Sequence, residues 1–305
     1  MNKFIFIYIF IGIQLLGATE FLDGGSRLSQ KTRWVQFSSS EHLNLKHLLI
    51  YLSKSQTGRE LIRNANKKAK SYGLTLYDVI KPGAGSITDT TLIRKFSQHD
   101  PNKISYESRS KVYINNQLNQ YDALLDLAHE LTHFVHRKTF NPYNTKFTLP
   151  KFIESTVEGE GGEVHAFMTE CRVLNELFPK RLQERYNCKK IISTDTGKIS
   201  KKLAVEKFYS VGSYYANFKH KLDLHGIGES FPYISKNEIG FVSSAYGMPY
   251  PIAAYHEFKS VLSKVCENDK RRISYMKVGN RGRTIASISK AKKDYLDKCS
   301  SVETL

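Results

Sequence analysis

The sequence predicts an α+β fold: a small mixed sheet packed on one long apolar helix, followed by a mostly helical C-terminal part. Three observations carry this reading. Between residues 74 and 115, short alternating or β-branched runs are separated by turn residues such as Lys81-Pro82-Gly83. From Tyr121 to Val135 the apolar residues recur at helical spacing without a glycine or proline. Past Pro179 the longest periodic runs, residues 255–267 and 287–298, are again helical.

Each element follows in order. Residues 19–40 show no periodicity. A helix is expected over 41–54, through Leu43, His47, Leu48, Ile50 and Leu52, and a basic one over 58–71 around Leu61, Ile62 and Ala65, ended by Gly73. Residues 74–80 alternate like a strand, with the turn 81–85 behind them. Further strands are expected over 90–96, 104–107 and 111–115. The apolar helix then runs until Asn141-Pro142. A Glu-rich helical stretch occupies 152–178, stopped by Pro179.

The apolar helix carries the chemistry. His129-Glu130-Leu131-Thr132-His133 places two imidazoles at i and i+4, on one helix face. Both can reach one zinc ion, and Glu130 sits where it can bond a water on that ion without being a ligand. Zinc lowers the pKa of such a water to about 7, and Glu130 would take its proton as a carbonyl is attacked. Histidines and a glutamate inside an apolar helix are costly unless paired or metal-bound.

The motif and its flanks, uncharged Leu131 and Thr132 and apolar Phe134, resemble the zincin metallopeptidases. The metzincin form is not met, since His136 and Thr139 stand where its glycine and third histidine belong. The resemblance is to the gluzincin form, which takes its third ligand from a glutamate on a following helix. Glu163 is the preferred ligand. It opens the run after Gly161-Gly162, shares a face with Ala166, Phe167 and Glu170, and resembles the E-x-x-A pattern of bacterial zincins. Glu158 and Glu154 are the alternatives. Glu170 is the candidate for holding a ligand histidine if Glu163 binds metal, and Asp126 is either such a holder or a solvated residue. Gly161 and Gly162 would let the backbone approach the metal helix closely.

The resemblance also implies a zincin-like arrangement in which an edge strand holds extended substrate by main-chain pairing, for which residues 112–115 are the candidate. His225, Tyr246, Tyr250 and His256 are candidates for stabilising the oxyanion, with none singled out.

Met1-Asn2-Lys3, the apolar run from Phe4 to Leu16 and small Gly17 and Ala18 read as a signal peptide over residues 1–18. The domain reading is then a catalytic core with the zinc site over 19–180 and a basic, mainly helical region over 181–305 completing the cleft. The four cysteines suggest two disulfides in an oxidising compartment, with Cys171–Cys188 and Cys266–Cys299 the most local of three pairings. The formal charge of +17 could steer the protein to anionic cell-envelope polymers. No nucleic-acid module, phosphate loop or further membrane-length run is present, so nucleic acid is not expected as a partner.

The expectation is a secreted or periplasmic metallopeptidase with one zinc (Zn2+) per chain, bound by His129, His133 and Glu163, acting on peptides or proteins. One alternative is an endopeptidase or amidase of cell-wall peptides. Another is a non-catalytic basic envelope-binding protein with a structural zinc, closed by His136 or His165 as fourth ligand.

Overall fold

The computed structural model describes residues 28–96, 104–138, 140–144, 147–182, 186–224, 234–278 and 285–300. The signal-peptide reading and His225 fall outside them. The described residues open with a 3-10 turn at Trp34–Gln36, then α1 (Glu41–Leu52), capped by the Ser40 hydroxyl on Leu43 N, and α2 (Gln56–Ser71), capped by Ser55 on Gly58 N. Leu61, Ala65 and Ala69 form the buried stripe of α2, at the four-residue spacing that keeps one helix face inward.

The strand expected over 74–80 is not there. Thr75 and Asp78 form a reciprocal cap, which winds Leu76–Val79 into a single helical turn, α3. Pairing begins only with β1 (Ile80–Gly83), so the expected turn at Lys81-Pro82-Gly83 is itself strand. It tolerates Pro82 because β1 is an edge strand. β2 (Ile87–Phe96) contains the strand expected over 90–96, and β3 (Ile104–Asn115) is one continuous strand where two were expected. The sheet order is β1-β3-β2, with β1 parallel and β2 antiparallel to β3. Residues 112–115, expected to be an edge, therefore lie in the central strand, paired on both sides over Val112 and Tyr113. Among the described residues, the strand beside the motif helix that pairs on one side only is β2.

That helix, α4 (Gln120–His136), is capped by Asn119 on Asp122 N and is buried along most of its length. It packs on α1, α2, β2 and β3. The Glu-rich stretch is two helices, α5 (Leu149–Val157) and α6 (Glu163–Leu177), because Gly159, Gly161 and Gly162 break it into a turn. α6 lies along α4. The short turns α7 (Pro179–Leu182) and α8 (Tyr186–Lys189) follow, then α9 (Lys201–Phe208), α10 (Tyr215–Leu224), the long α11 (Tyr250–Val278) and α12 (Ile285–Cys299). α11 exceeds the run expected over 255–267 at both ends and packs on α5.

Both local disulfides are formed. Cys171–Cys188 ties α6 to α8, and Cys266–Cys299 ties α11 to α12. One cluster of buried apolar residues runs from Trp34 through α4 and α6 to Cys299, so the C-terminal region shares the core of the N-terminal one. No described helix is long and apolar enough to cross a membrane.

Candidate metal centre

Helix α4 aims three donors at one point. The ligand atoms of His129, Glu130 and His133 lie within 4.8 Å of one another, close enough to hold a metal ion. The two rings meet edge to face, their centroids 4.8 Å apart, as i and i+4 residues on one face must.

Glu163, the first residue of α6, brings its carboxylate across both rings. Its Oε2 is 3.4 Å from His129 Nε2 and its Oε1 is 3.5 Å from His133 Nε2. The other nitrogen of each ring is also held. His133 Nδ1 donates to the Gly161 carbonyl at 2.8 Å, and His129 Nδ1 lies 3.4 Å from Glu170 Oε2. A ring whose Nδ1 carries the donated proton turns its Nε2 toward the common point, and such outer contacts orient metal-binding histidines. Two imidazole nitrogens and a carboxylate, that of Glu130 in the donor group itself with Glu163 set across both rings, could hold a metal ion. The residues present fit a metal ion.

The acids and the His129 imidazole hold one another charged. Burial alone would depress the His129 imidazole, but hydrogen bonding to Glu163 and Glu170 and the charge of Glu130 hold it well above 6.5. Burial alone would raise Glu163, but His133, His129 and Arg137 outweigh it and hold the carboxyl well below 4.5. Arg137, capping α4, donates from Nη2 to Glu163 Oε1 at 3.0 Å and from Nε to the Gly161 carbonyl at 3.3 Å. One residue therefore fixes both the glutamate and the loop that fixes His133.

Gly161 makes this docking possible. Its φ is +72°, and a Cβ placed there would lie 2.2 Å from the Arg137 backbone nitrogen. Gly161→Ala should cost about 2–4 kcal/mol, from the left-handed backbone and overpacking combined. Gly73→Ala, at φ +73° with open space around it, should cost only about 1–2 kcal/mol. Urea unfolding of the two variants checks this, and equal losses would mean the contact with α4 carries no strain.

The rival acids are elsewhere. Glu158 accepts from the Tyr209 hydroxyl at 3.2 Å, and Glu154 bears on the same phenol. His136 Nδ1 lies 3.6 Å from Glu160, and His165 Nδ1 accepts from Gly161 N at 3.1 Å. Neither histidine joins the donor group found among the described residues, which consists of His129, Glu130 and His133, with Glu163 beside it. Burial, then the charges of His136 and Arg172, push His165 down to about 4. Asp126 is half-buried, and the acid facing His129 Nδ1 is Glu170 instead. Asp126 bonds Ser86, and burial, with Glu170 and Glu130 nearby, raises it to about 6.

Two participants were missed by sequence reasoning. Thr88 on β2 places its hydroxyl 2.8 Å from both the main-chain carbonyl and Oε2 of Glu130, anchoring that carboxylate. Glu257 on α11 lies within electrostatic reach of Arg137, Glu163 and His133. A threonine in a strand and a glutamate in a helix carry no signal until the chain is folded. Of the described aromatic and histidine candidates, Tyr250 lies in the field of the centre. Burial, then Glu163, Glu130 and Glu170, hold its phenol well above 10, so it is a neutral donor. Tyr246 is exposed, and His256 packs on Tyr255 with ring centroids 5.5 Å apart.

A cleft of about 250 Å³ opens beside the centre. Thr88 and Leu92 of β2 form one side, the aromatic residues Phe147 and Phe152 another, and Glu257 and Val261 of α11 a third. No protein-family model, no curated protein and no solved structure matches this chain.

Proposed function

We propose that the chain is a secreted or periplasmic zinc-dependent metallopeptidase. The observation that carries this is the Glu163 carboxylate spanning both Nε2 atoms of His129 and His133 at 3.4 and 3.5 Å, with both Nδ1 atoms engaged elsewhere. His129, His133 and Glu163 would hold the ion. Three protein ligands leave a position open, the pattern of a catalytic zinc rather than a structural one. Zinc, when bound, supplies the Lewis acidity that lets water act as a nucleophile near neutral pH.

The chain's own residues do the rest. Glu130 takes the proton from the attacking water and gives it to the departing amine, as a buried carboxylate at hydrogen-bond range can. Thr88 holds Glu130 Oε2, which fixes the carboxylate while Oε1 is left to the proton. Among the described residues β2 pairs only with β3, so its outer edge is open to an extended peptide along the cleft. Formation of both disulfides fits an oxidising compartment.

The test is zinc content and hydrolysis on the purified protein. About one zinc per chain, with casein cleavage lost on chelation and restored by zinc, is expected. A wild-type protein that takes up no zinc would overturn the reading. Cleavage of purified wall material but not of casein would move the substrate to cell-wall peptides.

A further inference from the structure

The cleft beside the metal centre has an uneven distribution of charge. Four charged residues line it: Asp89, Arg137, Lys138 and Glu257. The two cations are already engaged, Arg137 with Glu163 at 3.0 Å and Lys138 with Glu160 at 3.6 Å. The two acids are not. Neither the Asp89 nor the Glu257 carboxylate makes a hydrogen bond or close ion pair with a described residue. Asp89 sits at the exposed rim, whereas Glu257 is drawn in, one turn of α11 before Val261.

Much of the remaining lining is apolar. Phe140 and Phe147 pack on Phe152 with ring centroids 5.1 and 5.6 Å apart, and Val261 continues the surface. A long side chain with an aliphatic stem and a charged head matches such a surface: the stem lies on the rings and the head meets the carboxylate. An uncharged apolar side chain would leave Glu257 desolvated without a partner, and an acidic one would add a like charge.

We propose that this cleft is a substrate subsite for a basic side chain, arginine or lysine, flanking the scissile bond, with Glu257 its specificity-determining residue. This rests on the peptidase reading above, and it adds the substrate class. Asp89 contributes long-range attraction at the rim. Burial raises the Glu257 carboxyl, with Arg137 opposing, and a bound cation would favour its charged form.

The experiment separates recognition from turnover. Zinc-loaded Glu130→Ala protein is titrated with three fluorescent hexapeptides identical except for a central arginine, norleucine or glutamate. In parallel, the wild type is tested for cleavage of the same peptides. The arginine peptide should bind at least about tenfold tighter than the norleucine peptide, with the glutamate peptide weakest. Glu257→Gln in that background, which keeps the side chain's size, should erase the arginine advantage while leaving norleucine binding within about twofold. Glu257→Lys should shift the preference to the glutamate peptide. Equal binding of the three peptides, binding of none, or an arginine advantage that survives Glu257→Gln would overturn the subsite. Binding with the expected preference but no cleavage by wild type would instead overturn the peptidase reading and leave the subsite standing.

Discussion

Glu130→Ala should lower kcat/KM for peptide hydrolysis by about 10²–10⁴-fold while leaving about one zinc per chain. The two halves of this expectation rest on different contacts. Activity should fall because Glu130 is the group assigned to move the proton, and water cannot replace a buried base anchored by Thr88 at 2.8 Å. Metal should stay because His129 and His133 keep their partners, Glu170 and the Gly161 carbonyl, and Glu163 still spans both. The three side chains of the motif lie within 4.8 Å of one another, so Glu130 is near enough to act as a ligand itself. Metal analysis and steady-state kinetics on one preparation decide between the roles. Zinc lost together with activity would make Glu130 a ligand, and activity retained would remove it from the reaction.

The parts of this structure that were legible in the sequence are those whose signal is local. The period of α4 and the i, i+4 placement of His129 and His133 are properties of one helix, and folding only had to bury it. The local disulfides were legible for the same reason, joining neighbouring helices at separations of 17 and 33 residues. Misreadings arose where a short-range pattern had two meanings. Residues 74–80 alternate like a strand, but the Thr75–Asp78 cap outweighs so short an alternation. Residues 104–107 and 111–115 were expected as two strands with a break between them. Antiparallel pairing with all of β2 carries the ladder through it. The position of 112–115 in the middle of the sheet, the anchoring of Glu130 by Thr88 and the entry of Glu257 into the cleft depend on contacts across about 30 to more than 100 residues. No window along the chain contains them. Glu163 stands between the two cases. Its position after two glycines was readable, but what favours it over Glu158 is the engagement of Glu158 by Tyr209, a contact 51 residues away.

That contrast gives the second large effect. Glu163→Ala should weaken zinc binding by more than about 100-fold, Glu170→Gln by about 10–100-fold, and Glu158→Ala by little. The order follows from distance to the Nε2 atoms. Glu163 faces both, Glu170 acts through His129 Nδ1, and Glu158 is bonded to Tyr209. Loss of Glu163 also leaves Arg137 without its carboxylate partner at 3.0 Å, so part of any change could come from a disturbed loop at Gly161. Glu163→Gln separates the two, because it keeps the size and an acceptor for Arg137 but removes the charge. If Glu163 is a ligand, the glutamine variant should lose most of the zinc affinity that alanine loses while unfolding at a urea concentration close to wild type. Competition titration with a chromophoric chelator gives the affinities. A glutamine variant that binds zinc as the wild type does would make Glu163 a clamp for Arg137 and the histidines rather than a ligand. A larger loss from Glu158→Ala than from Glu163→Ala would move the third ligand to the turn between α5 and α6.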